Sequence, residues 1–301
     1  MEKKCVFTMG FFDGVHTGHA SLIQQVIRQA RGKNYESLIL TFDKKPRLVE
    51  KGDSILTPLS EKLGLLAAYG ADRIEVIRFD SALAHLPPES FFRDMLVKNY
   101  KIAAIVAGYD FAFGRGRTGT RETLGALCRE EGISLTAVKP LFYKGEIVSS
   151  SLIRRRLLAG DIDMANGLLG RAYSFCGRVV RGKGAGSGMG FPTANVRIDK
   201  RKLLPCGVFQ GAVEIGGRGG TGGAIFNAVA NIGTSPTFSS AGKSREIIPE
   251  VHVIDFNENI LGREIVFYFN RKIRDEKKFR SREHLAGQIR RDINIGRNIN
   301  N

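Results

Sequence analysis

At 301 residues the chain is long enough for two domains, and 43% hydrophobic with 25% charged residues is ordinary for a folded protein, which excludes a disordered chain. No apolar run approaches the ~20 residues that span a bilayer, so no membrane partner is expected. The 46 basic residues against 30 acidic ones give a formal charge of +16, which admits polyanions and phosphorylated small molecules alike.

The first residues, Met1 to Gly10, hold two lysines and a very short apolar stretch. They read as a first strand, not a signal peptide, which predicts a cytoplasmic protein. Leu22, Ile23, Val26, Ile27 and Ala30 then mark one face of a helix. Strands at Ser37–Phe42, Arg73–Phe79, Ala103–Gly108 and Ser134–Val138 alternate with helices at Ser60–Gly70, Glu89–Val97 and Thr120–Glu131. This alternation predicts βαβ units around a mostly parallel sheet, a Rossmann-like α/β domain over residues 1–165. After the Leu168-Leu169-Gly170-Arg171 helix end the texture changes to short β-like segments. These lie at 173–180, 194–198, 207–215, 224–232, 250–256 and 264–269. With a polar helix over 281–293 they predict a small antiparallel six-stranded barrel with a C-terminal helix, residues 166–301, ending in a frayed tail from Gly296. The four scattered cysteines, Cys5, Cys128, Cys176 and Cys206, form no CxxC and fit small buried hydrophobes.

Two places carry chemistry. Gly10-Phe11-Phe12-Asp13-Gly14-Val15-His16-Thr17-Gly18-His19 leaves the first strand and opens the first helix. Unpaired N–H groups and the positive end of the helix dipole make that junction an anion site. His16 and His19, three apart, can both donate to a phosphoryl oxygen as charge develops on it. The competing reading is a strand–helix turn with two surface histidines. Asp110 follows the fourth strand, and Ser149-Ser150-Ser151 precede Arg154 at a helix start, where hydroxyls cap the helix or bind phosphate.

The second place is the glycine-rich run Gly182–Gly190, followed by Phe191-Pro192-Thr193-Ala194-Asn195. Pro192 favours extended backbone before it, and in an extended chain Thr193 and Asn195 share a face. A hydroxyl and an amide oxygen suit Mg²⁺ carrying a triphosphate. A flexible hairpin explains the same segment equally well. In Glu250-Val251-His252-Val253, Glu250 and His252 share the polar face of what reads as an edge strand.

At these residues the chain resembles the bacterial bifunctional riboflavin kinase/FMN adenylyltransferase (FAD synthetase) family, over essentially its whole length. The resemblance implies an N-terminal HxGH nucleotidyltransferase that joins FMN to ATP, giving FAD and pyrophosphate. The HxGH motif falls on His16 and His19 as catalytic residues. Gly10, Phe11, Asp13, Gly18, Asp110, Ser150, Ser151 and Arg154 are then expected to bind nucleotide. It further implies a C-terminal riboflavin kinase. Its GxPTAN motif covers Gly190, Pro192, Thr193 and Asn195; the first two contact nucleotide, and Thr193 and Asn195 hold Mg²⁺ with ATP. Glu250 is its catalytic base, and Arg274 and Phe279 line the flavin pocket. The block Asn231-Ile232-Gly233-Thr234-Ser235-Pro236-Thr237-Phe238 matches as well.

The chain departs from the family's usual residues at Lys45, Ala185, Ser187 and Leu261. The expected ligands are therefore ATP, riboflavin, FMN and FAD, with self-association left open by the sequence. Two other readings compete. One is a monofunctional FMN adenylyltransferase with an inactive kinase domain. The other is an RNA-binding regulator on the same scaffold, which the +16 charge favours weakly; the chain has no tryptophan and no aromatics interleaved with basic residues.

Overall fold

The computed structural model describes residues 3–44, 54–182, 190–216, 222–233 and 247–297. Lys45, Pro46, the loop residues Lys183, Ala185 and Ser187, and Thr234 to Phe238 lie outside the described residues. The chain divides into two compact units, Met1–Asp53 with Leu59–Ser150, and Ser54–Pro58 with Ser151–Asn301.

The first unit is built on a five-stranded sheet of β1 (Cys5–Met9), β2 (Glu36–Phe42), β3 (Arg73–Ile77), β4 (Ile102–Gly108) and β5 (Ser134–Val138). Their order is β3-β2-β1-β4-β5 and every pairing is parallel. Both faces are covered, as a parallel sheet requires. On one face Val6, Ile39, Ala104 and Val106 meet Leu22, Ile23, Val26 and Ile27 of α1 (Thr17–Lys33), the helical face read from the sequence. On the other, Phe7, Leu38, Leu40 and Ile105 meet Phe91, Phe92, Leu96, Leu124 and Leu127. Leu124 and Leu127 belong to α5 (Arg121–Glu130). Between β2 and β3 runs α2 (Leu59–Ala67).

The helix expected over Glu89–Val97 is wider than an α-helix over most of its length. A single turn α3 (Ser81–Ala84) and the short α4 (Pro88–Ser90) lead into a π-helical segment, Phe91–Val97. That geometry turns Phe91, Phe92 and Leu96 together into the core. A hairpin, β6 (Phe142–Tyr143) and β7 (Glu146–Ile147), also intervenes before the serine cluster, which therefore does not follow β5 directly. Its two-residue turn places Lys144 and Gly145 at φ 48° and 82°, as the twist of a tight hairpin demands.

Because the sheet is parallel, the ends of β1 and β4 lie along one edge. The sheet order also reverses between these two strands, the point at which open parallel sheets bind ligands.

The second unit is a closed antiparallel barrel. Its strands are β8 (Ser174–Val180), β9 (Ala194–Arg197), β10 (Gly207–Ile215), β11 (Ala224–Ile232), β12 (Glu250–Val253) and β13 (Glu264–Arg274). They close in the order β10-β11-β12-β9-β8-β13. Phe175, Phe209, Phe267 and Phe269 are fully buried rings inside it: Phe175 stacks on Phe267, and Phe269 meets Phe209 and Phe267 edge-on. Two helices precede it, α6 (Ser150–Leu158) and α7 (Ile162–Leu169), the latter ended by Gly170 in the left-handed region. The segment 54–58 docks here too. Tyr173 Oη donates to Leu203 O at 2.6 Å and Leu56 O at 3.2 Å, and Ile55 N donates to Arg201 O.

Three expectations are corrected. First, β12 is not an edge strand: barrel closure pairs it with β11 on one side and β9 on the other. It stops at Val253, because Asp255 turns the chain at φ 54°, while β13 runs on to Arg274.

Second, the terminal helix α8 spans Arg282–Arg297 and so takes in Gly296.

Third, Gly296 is no part of a loose tail. A Cβ there would stand 2.6 Å from Val229 Cγ2 and 2.7 Å from Ile254 Cδ1, so the helix lies flat on the barrel. Ile293 packs beside it with Val208.

Candidate active sites

The loop between β1 and α1 is held by unusual backbone. Phe12 and Val15 adopt φ 52° and 40°, and Gly14 adopts 87°. A β-branched residue in that region is strained and persists only where its surroundings impose it. Those surroundings are visible. Gly10 N donates to Leu40 O at 3.1 Å, Val15 N to Phe12 O at 3.1 Å, and Ser150 Oγ to Asp13 O at 2.8 Å. Asp13 is buried.

The turn ends at His16, which caps α1. Its Nδ1 accepts from His19 N at 3.3 Å, so a neutral His16 carries its proton on Nε2. The rings of His16 and His19 stack with centroids 3.5 Å apart and planes 18° off parallel, and Phe12 meets His19 edge-on at 5.2 Å. The two histidines therefore act as one stacked pair at a helix N-terminus. Gly18 keeps them close, since a Cβ there would press on the His16 ring at 3.2 Å.

Asp110 stands exposed just after β4, its carbonyl accepting from Arg117 at 3.3 Å. Ser150 closes the first unit at the start of α6. Ser151 and the half-buried Arg154 follow on α6 and belong to the second unit.

One residue of this region escaped the sequence reading. Lys62 on α2 is buried, and its Nζ donates to Phe11 O at 3.0 Å and Phe42 O at 2.8 Å while lying 4.2 Å over the Phe11 ring. Burial pushes its ammonium down to about 8, against the pull of Asp13 and Asp43. The signal was its spacing: Lys62 and Leu66 are one helical turn apart and both face inward.

In the second unit, three polar residues line up across adjacent strands. Asn195 on β9 is directly opposite Glu250 on β12, which is opposite Asn231 on β11. Burial raises the Glu250 carboxyl above the usual range; a hydrogen bond with Asn231 opposes this, and Glu276 adds to it. The Asn195 amide lies against Gly182, where any Cβ would fall 2.0 Å from Nδ2. Only glycine fits at that contact.

The extended segment before β9 is tied down at Pro192, whose carbonyl is 2.8 Å from His252 Nδ1. Phe191 meets His252 edge-on at 6.4 Å and packs with Val208, Val229, Ile254 and Ile293. Gly190 and Thr193 flank it, and Thr193 is half-buried.

Arg274 and Phe279 stand together, the guanidinium 5.7 Å over the ring. Arg274 also grips α8: its Nη2 donates to Asp292 Oδ2 at 2.8 Å, and Gln288 donates to the same carboxylate at 2.8 Å. Among the described residues no cluster of three or more His, Cys, Asp or Glu could hold a metal. A hydroxyl at Thr193 and an amide oxygen at Asn195, which lies opposite Glu250, are of the hard-donor type that suits a magnesium ion brought in by a nucleotide.

Comparison with known proteins finds two families in the chain, one for each part. A family model described as FAD synthetase matches residues 1–152, and one described as riboflavin kinase matches residues 169–300. The chain is 37% identical to the bifunctional riboflavin kinase/FMN adenylyltransferase of Escherichia coli K12, over 97% of this chain and 91% of that one. It is 33% identical to the protein of the same name from Bacillus subtilis, with the same coverage. A crystal structure described as a macrolide-efflux protein from Streptococcus pneumoniae superposes with a TM-score of 0.88 at 29% identity, covering 100% of this chain and 96% of that one. No helix among the described residues of this chain is long and apolar enough to cross a membrane.

Proposed function

The chain belongs to the bifunctional riboflavin kinase/FMN adenylyltransferase family, and from that premise we propose how its two units divide the work. The protein is an enzyme of flavin cofactor synthesis, which phosphorylates riboflavin to FMN with ATP and adenylylates FMN to FAD. The observation that carries the division of labour is that each unit holds its own polar set: the stacked His16–His19 pair in one, the Asn195–Glu250–Asn231 row in the other.

In the adenylyltransferase, a phosphate oxygen of FMN attacks the α-phosphorus of ATP and the bond to the β-phosphate breaks, releasing pyrophosphate. His16 Nε2–H and the His19 imidazole donate to the charge that gathers on the phosphoryl oxygens. The N–H groups of the Gly10–Gly18 turn, with Phe11 and Asp13, cradle the nucleotide. Asp110, Ser150, Ser151 and Arg154 are assigned to nucleotide binding on the strength of the family motifs.

In the kinase, Glu250 takes the proton of the ribityl hydroxyl as its oxygen attacks the γ-phosphorus, and ADP departs. A raised carboxyl pKa suits a base that must accept a proton near neutrality. Magnesium bound with ATP would neutralise phosphate charge, and Thr193 and Asn195 are the side chains that would hold it. Gly190 and Pro192 set the approach of the nucleotide, and Arg274 with Phe279 borders the flavin.

A cytoplasmic location fits substrates of this kind. Intact Thr193, Asn195 and Glu250 argue against a silent kinase. The test is incubation of the purified protein with riboflavin and MgATP, with flavins and nucleotides separated over time. FMN with ADP, then FAD with pyrophosphate, is the expected sequence.

A further inference from the structure

Gly10–His16 shapes the adenylyltransferase site, yet its backbone is not relaxed. Phe12, Gly14 and Val15 all sit at positive φ within four residues. Phe12 and Val15 are strained there, so an external anchor must hold the turn in place.

The Phe11 carbonyl is where that anchor bites. It accepts from Lys62 Nζ at 3.0 Å and from Thr41 Oγ1 at 3.3 Å, and the same ammonium lies over the Phe11 ring. Lys62 also donates to Phe42 O, the last carbonyl of β2. One buried cation thus fastens the lip of the turn to the end of the neighbouring strand. Thr41 and Lys62 are both essentially without solvent exposure. A lysine is seldom buried in this way unless its ammonium is partnered, as Lys62 is by these two carbonyls.

Resting on the reading of this unit as the adenylyltransferase, we propose that Lys62, with Thr41 beside it, is a positioning residue for adenylyl transfer: by anchoring the Phe11 carbonyl it keeps the strained turn, and hence the His16–His19 pair, in the geometry that stabilises the transferring phosphoryl group. It touches no substrate and acts through the backbone of Phe11. Its absence should therefore lower the rate of the bound complex more than the affinity for either substrate.

Lys62→Met keeps the aliphatic stem and removes the donor. Steady-state FAD formation from supplied FMN and MgATP should show kcat reduced at least tenfold, with KM for FMN and ATP within about threefold of the parent enzyme. FMN formation from riboflavin in the same preparation should be unchanged, which also reports that the protein is folded.

Thr41→Val, nearly isosteric, removes the second donor to the same carbonyl. It should lower the same kcat by a smaller factor, and it decides the matter if Lys62→Met does not fold. An unchanged kcat for FAD formation in folded Lys62→Met overturns the proposal. So does a rise in KM alone, and so does an unchanged kcat in Thr41→Val where the lysine variant cannot be made. A parent enzyme that forms no FAD would instead sink the adenylyltransferase reading itself, before either variant is consulted.

Discussion

Asn195 and Glu250 face each other across the β9–β12 ladder, with Asn231 completing the row on the far side of Glu250. The closed barrel makes this possible, because only a strand paired on both sides can set a carboxylate between two amides. The amide of Asn231 holds the carboxylate by a hydrogen bond, and Asn195 is fixed from behind by Gly182.

Glu250→Gln keeps size and most hydrogen bonding but cannot accept the hydroxyl proton. FMN formation should fall by about a hundred- to ten-thousandfold. Conversion of supplied FMN to FAD should continue at the parent rate. Loss of both in a folded variant would mean that the two reactions share a site.

His19→Ala removes half of the stacked imidazole pair. Loss of one such donor costs about 2.7–4 kcal/mol, so FAD formation should drop roughly a hundred- to thousandfold while FMN formation persists. Unaltered FAD synthesis would reduce His19 to a helix-start residue.

Lys62 makes a prediction for stability against pH. Below pH 8 the folded and unfolded chains both keep its proton. Between about 8 and the ordinary 10.5 only the unfolded chain keeps it, so this group adds to folded-state stability as pH rises. The buried thiols of Cys5 and Cys128, pushed up to about 11, work in the opposite direction over much of this window. The contrast between parent and Lys62→Met isolates the lysine. Denaturant unfolding at pH 8 and 10.5 should show the parent gaining on the variant, by on the order of 3 kcal/mol at most. A constant difference would mean that the ammonium is solvated in the fold.

Asp292→Ala leaves the Arg274 guanidinium, 14% exposed, without the carboxylate that neutralises it. Breaking a buried pair on one side costs about 3–5 kcal/mol. Because Asp292 is on α8 and Arg274 stacks on Phe279, the second unit should melt earlier and KM for riboflavin should rise. An unshifted melting curve would show that α8 is held by its apolar face alone.

Much of this arrangement could be read from the residues. The 3.6-residue repeat from Leu22 to Ala30 and the short apolar strands gave the parallel sheet, and the Gly10–His19 run placed its phosphate turn. What stayed hidden depended on contacts between residues distant in sequence. Glu250 looked like an edge-strand residue because its neighbours Asn195 and Asn231 come from opposite sides in the chain, and only ring closure brings them together. Gly296 looked like tail because glycine weakens a helix, yet close approach to Val229 and Ile254 demands it. Lys62 was passed over because lysine is read as surface. The acceptors that make its burial tolerable, Phe11 O and Phe42 O, are backbone atoms that no side-chain pattern marks.

The claim that two independent sites act in sequence is tested most directly by mixing the two inactivated variants. His19→Ala and Glu250→Gln are each incubated with riboflavin and MgATP, alone and together, and FAD is quantified over time. The account predicts that His19→Ala accumulates FMN, that Glu250→Gln leaves riboflavin unchanged, and that the mixture produces FAD. Riboflavin converted to FAD at the parent rate by either variant alone, or a mixture that accumulates FMN without FAD while Glu250→Gln still adenylylates added FMN, would contradict it.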